Sequence, residues 1–301
     1  MTLKTGFYLA LVLIGAAWGL TFPLTKLAVS TGHQPLGIIV WQQVGALLLT
    51  GLLCILRGSS LKLKRQNFGL YLGIALLGTV VPSYFSYTAA SHLPAGVMSI
   101  IIALVPLVAL PIALIMGYET PMLKRMLGLV FGAVAVVLLV GPGANLPEPG
   151  SAIFVPVAML ATLAYGGEAN FLEWSSRQKS GLMPDPFQIL FGASLVGLII
   201  TLPLAMGLGH FINLSVDWST PERSILYITI LSTLAYSGYI WLISRTGPVF
   251  AAQVAYLVTG FGVLWSLYLL DETYSAWVWL ALAMILAGLF LVQPKLRETR
   301  P

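Results

Sequence analysis

The sequence predicts an all-α integral membrane protein with ten transmembrane helices, arranged as two inverted five-helix repeats. Three observations predict this fold class: a very apolar composition, a series of apolar runs of membrane-spanning length, and short segments shared between the two halves. Of the 301 residues, 58% are hydrophobic and only 8% are charged, whereas soluble domains carry about 25% charged residues. Ten helices of about 20 residues would each cross about 30 Å of hydrocarbon and would leave only short loops between them.

The apolar runs are separated by short segments rich in glycine, proline or charge, which are typical of loops. The first run is longer than the core of a signal peptide and further runs follow it, so we expect it to be retained. The first five runs would form one repeat over 6–141 and the last five a second over 151–293. We expect spans at about 6–28, 35–56, 68–90, 95–117, 124–141, 151–172, 187–207, 223–244, 249–270 and 276–293.

The distribution of Lys and Arg predicts the orientation, because cytoplasmic loops carry an excess of both residues. With the amino terminus inside and ten crossings, only Lys26 and Arg223 of the fifteen fall at outer ends of spans. We therefore expect a multi-pass protein of the inner membrane with both termini in the cytoplasm. The thirteen residues on the inner side are Lys4, Arg57, Lys62, Lys64, Arg65, Lys124, Arg125, Arg177, Lys179, Arg245, Lys295, Arg297 and Arg300.

Two weak internal matches indicate a duplicated chain. The segment AWGLTFPLTK (Ala17–Lys26) aligns with AYGGEANFLE (Ala164–Glu173) at an offset of 147, and Glu119 aligns with Glu272 at an offset of 153. Both offsets pair each span with the span five places later. Because five is odd, the second half would enter the membrane from the opposite side, as in carriers with inverted repeats.

Short motifs in both halves resemble a known family. WGLTFPLTK in the first span is similar to the W-G-x-x-F-x-x-x-K opening of EamA-type members of the drug/metabolite transporter superfamily. GYETP (Gly117–Pro121) and LDETYS (Leu270–Ser275) resemble the family's G-E-x-[ST] endings before the last helix of each repeat. Family members often carry an Arg early in the second span, where this chain has Gln42 and Gln43. An anionic-substrate contact at that place is therefore not carried over.

The resemblance implies a fold and an activity. The first four helices of each half would line a central cavity, and the fifth and tenth would lie outside it. The chain would move a small metabolite, such as an amino acid or a related solute, across the membrane without ATP by alternating access, with export as the expected direction. A facilitative channel-like uniporter and a non-transporting membrane scaffold are the alternatives.

Polar residues spaced three and four apart share a helix face, and in a bilayer such a face needs protein or water beside it. The stripe Thr79, Ser83 and Ser86 in the third span is carried by the 153 offset to Ser232, Tyr236 and Tyr239 in the eighth. The alternative is that small hydroxyl side chains only hold helices together. Other candidates for the cavity are Trp18, Thr21, Gln42, Gln43, Tyr165, Gln253 and Tyr256.

Glu168 is an ionisable residue inside an apolar span, where a charged side chain costs about 2.5 to 3.5 kcal/mol and marks a candidate functional site. Tyr165 lies one turn earlier on the same face. We expect Glu168 to carry a proton or to meet a cationic group of the substrate. The alternative is a carboxylate near enough to the cytoplasmic end of its span to reach water.

Other residues suggest moving parts and contacts. Pro106 in the fourth span predicts a bend, with Gly260 at the equivalent place in the ninth, because proline removes a helix hydrogen bond. Four charged residues lie at span ends, where snorkelling to the interface is the default: Lys26, Glu119, Glu173 and Glu272. The family-like positions of Lys26, Glu119 and Glu272 keep a structural or gating role open. The Gly128–Gly132 pair in the fifth span favours close packing or a homodimer contact.

The remaining features exclude several classes. The net charge of +5 is scattered between apolar runs, so we expect the lipid bilayer and a small solute as partners, with protons left open, and no nucleic acid. An intramembrane enzyme would need a nucleophile and base or a metal set at membrane depth, whereas His33, His92 and His210 all lie near loops. We therefore expect no catalytic residues, no metal and no cofactor.

Overall fold

The computed structural model describes residues 3–141, 144, 146, 150–178, 183–213, 218–246 and 248–292. Within this part of the chain all regular structure is helical and no β-strand occurs. The helices are α1 (Leu3–Val29), α2 (Pro35–Leu56), α3 (Phe68–Ile74), α4 (Val81–Ala90), α5 (Ala95–Ile102), α6 (Val105–Ile115), α7 (Leu123–Val140), α8 (Phe154–Gln178), α9 (Pro186–Gly207), α10 (Thr220–Thr246), α11 (Pro248–Ala251), α12 (Val254–Leu270) and α13 (Ala276–Val292).

Eight helical segments in the described residues are long and apolar enough to cross a membrane. Two of them combine neighbouring elements, because α3 continues into α4 and α5 is followed directly by α6. Two shorter apolar helices, α12 and α13, have 17 residues each. The prediction of an all-helical membrane protein is confirmed for these residues, while the ten crossings and their inverted arrangement stay predictions.

Two of the long segments depart from regular α-helix near their middles. A π-helical stretch, Ala75–Val80, joins α3 to α4. The turn at Ala103 and Leu104 separates α5 from α6 and comes directly before Pro106. By contrast, Gly260 lies within the uninterrupted helix α12, and the nearest break, at Ala252 and Gln253, separates α11 from α12. A hinge at Pro106 and Gly260 remains a prediction.

The long helices pack in a regular set of pairs. α1 lies against α10 and α12, α8 lies against α4 and α6, and α2 packs on α9. α5 packs on α12, and α7 on α13. Glycines allow the closest approaches: a Cβ on Gly19 of α1 would lie 2.8 Å from the backbone nitrogen of Gly262 in α12.

The Gly128–Gly132 motif is used inside the chain. A Cβ on Gly128 would lie 2.6 Å from the side chain of Val292 and 2.8 Å from the carbonyl oxygen of Gly288, both in α13. A Cβ on Gly132 would lie 2.7 Å from Leu107. The two glycines therefore allow α7 to pack closely on α13 and α6, and helices of the same chain cover this face of α7.

We expect Gly128→Ala to destabilise the protein by about 1 to 3 kcal/mol, because the added methyl group overpacks the α7–α13 contact. Thermal unfolding in detergent is the measurement. Gly167→Ala is the control, since a Cβ there meets nothing within 4 Å. An equal melting temperature for the two variants would contradict this packing.

Candidate functional site

The side chain of Glu168 lies within a membrane-length helix and lines an internal cavity. It is about 15 Å along the helix axis from Gln178, where α8 ends. The cavity has a volume of about 200 Å³ and extends from the carboxylate to the segment before α9. Its lining consists of Ile74, Glu168, Leu172, Met183, Pro184, Pro186, Ile189, Leu190 and Tyr236.

The π-helical stretch lies directly against this carboxylate. A Cβ on Gly78 would overlap the carboxylate carbon and oxygens of Glu168. Because π-bulges inside helices are frequent at functional sites, the π-helical stretch and the half-buried Glu168 carboxylate both point to a functional site here. Only glycine at position 78 leaves room for the carboxylate in this conformation.

Aromatic side chains surround the acid. Tyr165 and Tyr236 both interact electrostatically with Glu168. The ring of Trp18 in α1 packs edge-on against Tyr236 and Tyr239 of α10, with centroid distances of 6.4 and 6.0 Å. An aromatic surface therefore leads from the cavity wall at Tyr236 to the first helix.

A second group of polar side chains continues from Tyr165 toward α2. The Ser83 side chain hydrogen-bonds the Tyr165 hydroxyl, and Tyr165 interacts with Tyr87. The Tyr87 hydroxyl in turn meets the side chain of Gln42. Four helical segments, α2, α4, α8 and α10, thus contribute polar groups to one interior region.

Gln43 and Thr79 form a separate buried contact. The Gln43 amide donates to the Thr79 hydroxyl over 3.1 Å, and that hydroxyl donates to the Ala75 carbonyl over 2.7 Å. Gln43 also packs tightly against Gly197 of α9. The pair links the π-helical stretch to α2 and α9.

The structure does not bring every expected residue into this group. Gln253 is exposed beside the break before α12, and Tyr256 packs against the main hydrophobic core. The Thr21 hydroxyl donates to the Trp18 carbonyl within its own helix, over 2.6 Å. Ser86 and Ser232 are half-buried on α4 and α10.

Two contributors to the site were missed by sequence reasoning. Tyr87 lies four residues after Ser83 and so belongs to the same helix face, a signal that was present in the sequence. Gly78 gave no comparable signal, because a glycine within an apolar span does not reveal which side chain will lie against it.

At the carboxyl-terminal end of α4, Lys26 and Glu272 bind the two ends of the loop that joins α4 to α5. The Lys26 ammonium donates to the carbonyls of Ala90, Ser91 and Leu93, over 2.8, 3.3 and 3.0 Å. Both side chains therefore bind helix ends, where the sequence favoured snorkelling. We call Lys26, Glu272 and the loop 91–94 the latch.

Glu272 completes the latch at the start of α5. Its carboxylate accepts the backbone N–H groups of Ala95 and Gly96, over 2.7 and 3.2 Å. A carboxylate at a helix amino terminus is favoured by the helix dipole, and a cation at a carboxyl terminus likewise. Burial and the neighbouring Glu272 raise the pKa of the Tyr274 hydroxyl, so this hydroxyl stays protonated and donates to Glu272.

The residues that the internal matches pair with the latch make different contacts. Glu119, the counterpart of Glu272, pairs with Arg125 over 2.5 Å. Glu173, the counterpart of Lys26, pairs with Arg177 one turn further along α8, over 2.8 Å. The latch contacts are thus formed at one end of the bundle, and their counterparts pair locally at the other.

This arrangement is that of a polytopic membrane protein with an ionisable group at an internal cavity, which is typical of transporters. No group of three or more His, Cys, Asp or Glu side chains suited to a metal ion occurs in the described part of the chain. The model of the EamA-like transporter family matches residues 5–141 and 153–293. The chain therefore belongs to this family, and the resemblance drawn from its motifs is confirmed.

Relatives and a solved structure agree with this assignment. The chain is 26% identical to the uncharacterized inner membrane transporter YedA of Escherichia coli K12, over 94% of this chain and 89% of the relative. It is 23% identical to the uncharacterized transporter YvbV of Bacillus subtilis 168, over 97% and 93%. A crystal structure of a protein 14% identical superposes with a TM-score of 0.61, covers 94% of this chain and 97% of the other, and supports the fold alone. The chain is therefore a multi-pass membrane transporter of this family.

We expect Gly78→Ala to displace the Glu168 carboxylate and to lower solute flux about tenfold, the factor that corresponds to 1.4 kcal/mol. Flux in proteoliposomes and thermal unfolding should be measured together. Gly69→Ala on the same helical segment is the control, because a Cβ there meets nothing within 4 Å. Normal flux in Gly78→Ala would show that the carboxylate position is unimportant.

Proposed function

We propose that this transporter moves a small metabolite, an amino acid or a related solute, outward across the inner membrane by alternating access. The observation that carries the proposal is the cavity at Glu168, which extends toward one end of the helix bundle, while the latch ties helices together at the other. A cavity that reaches one side and contacts that close the other are what a carrier needs in one of its two states.

The packing of the helices supports two inverted five-helix repeats. Each half contributes an equivalent partner to every major contact: α1 lies against α10 and α12, and α8 lies against α4 and α6. The contacts of α2 with α9, of α5 with α12 and of α7 with α13 each join equivalent spans of the two halves. Exchanging the halves leaves this set of contacts unchanged, as a pseudo-two-fold axis requires.

The basic residues then assign sides to the two ends. With both termini in the cytoplasm, as the distribution of Lys and Arg favours, the segment 183–186 at the mouth of the cavity is cytoplasmic and the latch is on the outer side. The described conformation would be the inward-facing one. Solute would enter from the cytoplasm and leave after the latch opens.

Glu168 is the group that we expect to couple transport to a second ion. A carboxylate at membrane depth is stable when it is protonated or meets a cation, so loading and unloading of Glu168 can be tied to the change of side. This proposal makes Glu168 carry a proton or meet the cationic group of the solute during the cycle.

Counterflow in proteoliposomes tests the function directly. A panel of amino acids, nucleobases and vitamins, each with and without a proton gradient, should give saturable counterflow of one solute. Counterflow distinguishes a carrier from a channel-like uniporter, which carries flux without it, and from a scaffold, which carries none.

We expect Glu168→Gln to abolish stimulation by the proton gradient, because the amide cannot take up a proton. Glu222→Gln is the matched control: it makes the same change of charge on α10, where Glu222 pairs with His33 away from the cavity. Gradient-driven flux in the Glu168→Gln variant equal to that of the control would remove Glu168 from the coupling.

A further inference from the structure

We propose that the cavity selects solutes with a positively charged amine or ammonium group. Glu168 would be the counter-ion of this group, and the ring of Tyr236 would pack against it. This inference rests on the proposed transport function and adds the substrate class. It is argued from the charges that line the cavity, the missing donors around the carboxylate and the aromatic surface beside it.

The described lining of the cavity carries a single sign of charge. Among these residues Glu168 alone is charged at neutral pH, and the others are apolar except for the neutral Tyr236. Two basic residues of this end of the bundle are engaged elsewhere, since Arg177 pairs with Glu173 and Arg57 lies over the ring of Phe187. An anionic solute would meet a like charge at Glu168, with no cation among the described lining residues to receive it.

The Glu168 carboxylate also lacks hydrogen-bond donors from the protein. Within the described residues, no backbone or side-chain donor forms a hydrogen bond to it. Gly78, which packs against it, has no side chain that could donate. Since a carboxylate away from bulk water needs a proton or a cation, the site has an acceptor without a partner.

The aromatic surface supplies the second part of the recognition. Tyr236 lines the cavity and interacts with Glu168, and Trp18 and Tyr239 continue its surface at centroid distances of about 6 Å. Aromatic faces attract ammonium groups through the ring quadrupole. A carboxylate and rings together favour an alkylated ammonium over a proton alone, because a proton gains nothing from the rings.

The volume limits the size of the solute. The cavity of about 200 Å³ is smaller than the pockets of about 300 to 1,000 Å³ that hold drug-sized ligands. The site is therefore matched to a compact amine or ammonium compound with few heavy atoms.

Three probes of similar size distinguish the effect of charge on binding from the effect of shape. They are choline, its neutral carbon isostere 3,3-dimethylbutan-1-ol, and the zwitterion glycine betaine. Binding to the full-length protein in detergent at pH 8 should be measured by calorimetry. We expect choline to bind at least about tenfold more tightly than the neutral isostere, a factor that corresponds to 1.4 kcal/mol, with betaine in between.

Variants identify the groups responsible. We expect Glu168→Gln to lose this preference, Glu168→Asp to retain it in part, and Tyr236→Leu to weaken choline more than the isostere. Glu222→Gln, on α10 but paired with His33 away from the cavity, is the control and should bind all three probes as the parent does, and gel filtration shows that each variant is folded. Equal binding of choline and its isostere, no binding of choline, or an unchanged preference in Glu168→Gln would each overturn the proposal.

The inference and the proposed function fail in different experiments. Saturable counterflow of an anionic or neutral solute, without competition by choline, would overturn cation selection and leave the transport function intact. Tight choline binding without flux of any solute would leave the cation site intact and overturn the transport function.

Discussion

A carboxylate at membrane depth is the constraint on which the interior of this protein depends. Glu168 is too costly to expose to hydrocarbon, and its surroundings are shaped accordingly. Glycine at position 78, in a π-helical stretch, makes room for it, tyrosines from α8 and α10 surround it, and the cavity connects it with the segment before α9. Each of these features would be a defect in a rigid apolar bundle, and together they form the candidate binding site.

Charged side chains make different contacts at the two ends of the bundle. Lys26 and Glu272 bind helix ends, whereas Glu119 and Glu173 pair with nearby arginines. Helix-end contacts join elements far apart in sequence, and local pairs leave them free to separate. A transporter built from inverted repeats can exchange these two arrangements between its ends, which would connect the packing to the proposed change of access.

Much of the fold followed from sequence, because apolar length and the distribution of charge act over whole helices. The stripe of Ser83 and Tyr236 and the acid at position 168 also pointed to the interior region that the structure describes. Gly78 and the exposed position of Gln253 could not be predicted, since both depend on local backbone irregularities. The latch contacts of Lys26 were missed because they join residues more than 60 positions apart.

Alternating access is the central claim, and accessibility of single cysteines tests it most directly. In a Cys54→Ala background, Leu172→Cys reports on the cavity and Thr21→Cys on the part of α1 between Trp18 and the latch, with a membrane-impermeant maleimide added to either side. The account predicts that Leu172→Cys reacts from the cytoplasmic side while Thr21→Cys is protected. It predicts that combined Lys26→Met and Glu272→Gln substitutions reverse this pattern, and that the control Lys124→Met does not. Labelling of both positions at once from opposite sides, or no change when the latch is removed, would contradict the account.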